Sequence, residues 1–163
     1  MNSSQKVASA LAAAAMAVPL IASWEGLEHI GYVDLVGVKT ACWGSTRNVI
    51  VGKRYAEQEC LERLATDTVE HGIKIEACIA VPLPAETRAA FISFAFNVGV
   101  TAFCGSTLVK KANAGDLPGA CVELDRWVMA GGKRVKGLIN RRAAERAMCE
   151  RGLQPAQQPA AAA

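Results

Sequence analysis

Apolar residues fall into distinct periods along this chain. From Val7 to Trp24 they run without a charge (VASALAAAAMAVPLIASW), and alanine dominates. As a helix, 18 residues at ~1.5 Å each span about 27 Å, barely the thickness of a bilayer core. WEGLEHI (24–30) continues this as the end of an amphipathic helix, and GYVDLVG (31–37) carries turn-forming Gly31 and Gly37. GVKTACWGST (37–46) alternates as a short β-ribbon ended by Gly44. Tyr55 to Glu76 places Cys60, Leu61, Leu64, Val69 and Ile73 at helical spacing, which predicts a long amphipathic helix. Val81–Pro84 (VPLP) breaks it. Ala85 to Val98 is apolar almost all round and predicts a central buried helix, with Phe91, Phe94 and Phe96 in the core and Gly99 as its stop.

The last third is shorter in period and richer in charge. Two short helices are expected around Asn113–Asp116 and Pro118–Met129, with Trp127 packed between them. Gly131-Gly132 reads as a loop, and Gly137–Gly152 as a basic closing helix. The tail, 154–163, is low in complexity and expected to be disordered. The pattern gives a mainly helical α+β fold: a small β-hairpin lobe and a larger helical lobe, joined by the long helix.

Composition changes this picture in two places. The chain of 163 residues carries a net charge of +3, but 126–151 holds eight basic residues against two acidic ones, so the remainder is about −3. A basic end calls for an anionic partner. Only 6% of residues are aromatic and no recognition module is visible, so nucleic acid is not the expected one. The six cysteines (42, 60, 78, 104, 121, 149) contain no C-x-x-C pair, which argues against a zinc ribbon or a thioredoxin-type site. In an oxidising space they would form disulfides, with fifteen connectivities open. His29 and His71 are the only histidines; each reads as a surface or rim residue, and neither a metal nor a cofactor is expected.

The candidate chemistry lies in Trp24–Thr46. Glu25 is followed after eight residues by Asp34, and after five more by Thr40. A helix end that folds back through a hairpin can set Glu25 opposite Asp34. Two carboxyl groups in unlike surroundings, one protonated and one ionised, are what glycoside hydrolysis requires.

The series Glu-Gly-Leu, Tyr-x-Asp, Gly-Val-x-Thr and Trp-Gly-x-Thr, with that spacing, resembles the active-site segment of the phage-type lysozymes (glycoside hydrolase family 24), the endolysins of tailed phages. Phe91–Asp116 and Arg126–Cys149 resemble that family's later helical signatures, so the likeness runs from Trp24 to Gly152. It implies a lysozyme-like fold, a monomer, and hydrolysis of the β-1,4 bond between N-acetylmuramic acid and N-acetylglucosamine in peptidoglycan. Glu25 would be the general acid. Asp34 and Thr40 would hold and activate a water on the opposite face, inverting the anomeric carbon. The likeness also implies that Asn97, Ser106 and Thr107 touch sugar and that Arg142 pairs with Glu25. Trp43 stands where tyrosine is more usual, a departure expected to touch packing rather than chemistry. The rivals are a peptidoglycan-binding module of the same fold that does not cut, and a small anchored or secreted disulfide protein without catalysis.

Three readings of the first two dozen residues compete: a secretory signal cleaved near Ala15-Met16-Ala17, a permanent anchor, or an uncleaved weak segment that leaves the bilayer. The third is like the signal-arrest-release segments of some endolysins. Two points favour it. Cleavage just before Glu25 would remove the helix that positions the acid, and an alanine-rich helix leaves lipid at modest cost. The expected division is 1–23 as the release segment, 24–153 as the catalytic domain and 154–163 as the tail. Lys6 predicts a cytoplasmic N-terminus, so residues 7–22 would sit transiently in the host inner membrane with the enzyme on the periplasmic side, later freed there. No cysteine lies between Met1 and Ile21, which excludes a thiol switch within the segment.

Overall fold

The computed structural model describes residues 3–155, so most of the expected tail lies outside the described residues. The uncharged run folds as α1 (Ser3–Trp24), as its alanines, the strongest helix formers, favour. Ala10, Ala13, Ala14, Ala17 and Ile21 are fully buried or nearly so, while Val7, Leu11 and Met16 stay exposed. Their spacing is that of one helix face, and this face packs on α2 (Glu57–Ile75) and α3 (Ala85–Val98). Residues on either side of position 23 therefore share one core.

Gly72 makes that approach possible. A Cβ there would lie 3.1 Å from Ile92 Cδ1 and 3.5 Å from Ala10 Cβ. The buried stripe of α2 is Cys60, Leu64, Thr68, Gly72 and Ile75. The expected Leu61 and Ile73 instead remain partly exposed. Apolar periodicity missed this face because close helix contact selects small side chains there. α3 is buried from Thr87 to Ala95. Phe91 and Phe94 lie in the core as expected, whereas Phe96 is half-buried and stacks on His71 with centroids 4.9 Å apart.

Helix does not continue through WEGLEHI. It ends at Trp24, and Glu28–Val33 forms strand β1, antiparallel to β2 (Lys39–Cys42). Long-range pairing overrides the local pattern: Tyr55 N donates to His29 O (2.7 Å) and Gly31 N to Lys53 O (2.9 Å). Gly31 is required here, because a Cβ would fall on the Ile50 carbonyl oxygen.

The rest of the helical lobe comprises α4 (Val100–Cys104), α5 (Thr107–Asn113) and α6 (Leu117–Glu123). A second small hairpin follows, β3 (Met129–Ala130) and β4 (Lys133–Arg134), then α7 (Lys136–Gly152) on α3. Of Asn113–Asp116, Asn113 ends α5 and 114–116 form the turn into α6. Trp127 packs edge-on against Phe94, centroids 5.1 Å apart. All six cysteines pair: Cys42–Cys60 ties β2 to α2, Cys78–Cys104 joins the end of α2 to α4, and Cys121–Cys149 joins α6 to α7.

Candidate functional site

Glu25 occupies the bend where α1 gives way to β1. Its backbone N–H donates to Ile21 O at 3.0 Å, so α1 sets its position directly. The side chain is 28% exposed, and Arg141 Nη1 donates to its Oε1 at 2.6 Å. The pairing expected for Arg142 thus belongs to its neighbour. One residue on a helix is a turn of about 100°, and Arg142 points instead to Asn97 Oδ1 at 2.5 Å and lies over the Phe94 ring at 4.8 Å.

Behind Arg141 stands a fully buried carboxyl group. Glu145 Oε1 accepts from Ser93 Oγ at 2.7 Å and from Arg141 Nε at 3.1 Å. Its Oε2 lies 2.9 Å from Arg142 Nη1. Burial pushes the Arg142 guanidinium down to about 10, with Glu145 opposing that shift. It pushes Glu145 up, against the pull of Arg142, Ser93 and Arg141. Sequence reasoning missed Arg141, Glu145 and Ser93. A usable signal existed: Arg141, Glu145 and Cys149 are spaced by four, so a cysteine that must turn inward carries both charges with it.

Asp34 and Thr40 come together at the tip of the β1–β2 hairpin. Asp34 Oδ1 accepts from Val36 N (3.0 Å) and Val38 N (2.8 Å), an Asx-type turn that holds the carboxylate still. Asp34 N in turn donates to Val38 O at 2.9 Å. The same carbonyl accepts from the buried Thr40 hydroxyl at 3.1 Å. One residue, Val38, therefore links both side chains, Asp34 through its N–H and Thr40 through its carbonyl. Tyr32 to Val36 line an open hollow with Asp34 in its wall; a second hollow, lined by Glu28, Ile30 and Tyr32, shares Tyr32 with it.

Of the three expected sugar contacts, Asn97 is exposed and its Oδ1 accepts from Arg142 Nη2 at 2.5 Å. Ser106 is buried and caps α5, its hydroxyl accepting from Val109 N at 3.2 Å. Thr107, beside it, is exposed. His29 Nδ1 lies 3.0 Å from Tyr55 O, a tie between the hairpin and the start of α2.

Comparison with known proteins adds independent findings. The family model described as Phage lysozyme matches residues 22–145. The SAR-endolysin of Bacteriophage PS119 is 45% identical over 131 residues, covering 80% of this chain and 78% of that one. The muramidase domain of SpmX from Asticaccaulis excentricus superposes with a TM-score of 0.77 at 27% identity, covering 86% of this chain and 96% of that domain. The active form of P1 phage endolysin Lyz superposes with a TM-score of 0.72 at 26% identity, covering 85% of each chain.

Proposed function

The chain belongs to the phage lysozyme family, and on that footing we propose that it is an endolysin that hydrolyses the β-1,4 bond between N-acetylmuramic acid and N-acetylglucosamine, lysing the host. The observation that carries the reading is a split pair of acids. Glu25, half-exposed, is anchored by one buried arginine. Asp34, nine residues on, is fixed by two backbone N–H donors beside Thr40.

Glu25 protonates the glycosidic oxygen as positive charge develops on the sugar. Asp34 is the second carboxyl group, held in place by two backbone N–H donors. With Thr40 it orients a water for attack on the opposite face, which makes the enzyme inverting, as in glycoside hydrolase family 24. Each positioned acid or base contributes roughly 10²–10⁴-fold. Glu25→Gln abolishes lysis of permeabilised cells, followed as loss of turbidity, while the melting temperature stays near wild type; an active, folded variant ends the acid assignment. Proton NMR of the first-formed product distinguishes inversion from retention.

Residues 7–24 have a mean hydropathy of 1.8, enough for a weak membrane span. The same helix also supplies five core residues, which supports an uncleaved segment: a cut near Val18 removes Ala10, Ala13, Ala14 and Ala17 from the core. The reading is therefore a chain held first in the inner membrane, N-terminus inside, then released whole into the periplasm to act on peptidoglycan as a monomer. Pairing of all six cysteines fits that oxidising space. The N-terminal sequence of protein recovered from the periplasm tests it; a start near Val18 overturns it.

A further inference from the structure

Behind Glu25, α7 presents two arginines and one glutamate that have almost no surface. Glu145 and Arg142 are fully buried, and Arg141 is 4% exposed. Three groups with protons to donate surround the Glu145 carboxyl: Ser93 Oγ, Arg141 Nε and Arg142 Nη1. The two guanidiniums and the hydroxyl oppose the burial that pushes this carboxyl up.

Arg141 is held along more than one edge. Its Nε meets Glu145, its Nη1 meets Glu25, and its Nη2 lies 3.4 Å from Ser93 O. Glu145 thus divides the arginine pair, with Arg141 directed toward Glu25 and Arg142 toward Asn97. α3 contributes Ser93, the Phe94 ring and Asn97 to this cluster, none of them charged, and α1 carries no charge from Val7 to Trp24.

We propose that Glu145 is a positioning residue for the reaction: it orients Arg141 through Nε so that Nη1 meets Glu25, and it shares that cation between two carboxylates. The proposal rests on Glu25 being the proton donor. A flexible arginine without this hold samples other rotamers, and the donor it steadies loses its orientation, on which catalytic geometry depends.

The test uses the full oxidised chain and initial rates of reducing-end release from purified peptidoglycan. In Glu145→Gln, kcat falls about tenfold or more with KM changed less than about twofold, the pattern of a lost transition-state interaction. In an Arg141→Gln background the same substitution adds less than about a threefold further loss, because both act through one contact. Glu145→Asp keeps the carboxyl but retracts it from Arg141 Nε, so kcat falls there too with KM held; it also serves if the Gln variant fails to fold. An unchanged kcat in Glu145→Gln, a KM that rises as much as kcat falls, or losses that multiply in the double variant, overturns the proposal. Glu25→Gln is run alongside: activity there removes the acid assignment itself, which the Glu145 results alone leave standing.

Discussion

Deleting residues 1–17 tests the place of α1 in the enzyme most directly. The deletion removes four alanines whose exposure is 2% or less: Ala10, Ala13, Ala14 and Ala17. At ~0.8 kcal/mol per buried methyl-sized group the alanines lose about 3 kcal/mol. The surfaces they cover on α2 and α3, Gly72 and Ile92 among them, lose a comparable amount, so the total approaches ~6 kcal/mol as an upper figure. A domain of this size has about 5–15 kcal/mol in all. What remains of α1, Val18–Trp24, is two turns, too short to hold a helix unaided, and Glu25 hangs from its last turn through Ile21 O. The truncated protein, refolded with its disulfides formed, is therefore expected to melt at least ~10 °C lower and to lose at least about 100-fold in lytic rate. Circular dichroism melts and turbidity assays on the same preparation measure both. A truncated enzyme as stable and as active as the full chain refutes the claim that α1 is catalytic scaffold, and with it the case against a cleaved signal.

Other substitutions probe single contacts. Gly72→Val forces methyls into the 3.1 Å gap to Ile92 and costs about 1–3 kcal/mol by overpacking, read as a lower urea midpoint, whereas Gly72→Ala is near neutral because helix propensity offsets the tight contact. Ser106→Ala loses the α5 cap, about 1 kcal/mol of stability, with KM for peptidoglycan unchanged; a raised KM at full stability restores Ser106 as a sugar contact. The Lys111 ammonium, 2.7 Å from Glu123, holds that carboxyl below its ordinary 4.5. Its stabilising effect is complete above the unfolded value near 4.5 and is lost as pH falls through the lower folded one. Lys111→Met accordingly lowers the urea midpoint at pH 7 and narrows the gap between pH 7 and pH 3.

How much was legible depended on whether a feature is local. Glu25, Asp34 and Thr40 stand on one short segment, so their order and spacing are visible in the chain, and the Asx turn at Asp34 uses only its neighbours. The central helix Ala85–Val98 was equally plain from its unbroken apolar character. Errors came where distant partners decide. Glu28–Ile30 carries a helical pattern yet lies in a strand, because Lys53 and Tyr55 supply backbone partners. On α2 the inward face is small rather than apolar, because α1 lies against it.

By itself the sequence determined the helix-rich class, the hairpin, the spacing of Glu25, Asp34 and Thr40, and an uncharged, alanine-rich first segment. Those are matters of local propensity, periodicity and spacing, which a linear chain carries intact. Which arginine meets Glu25, which cysteines pair, and that α1 lies in the core were decided only in three dimensions. A guanidinium chooses its carboxylate by where two helices cross, a disulfide by which thiols come within reach, and an apolar helix by whether a packed lobe or lipid covers it. None of those distances exists until the chain has closed on itself.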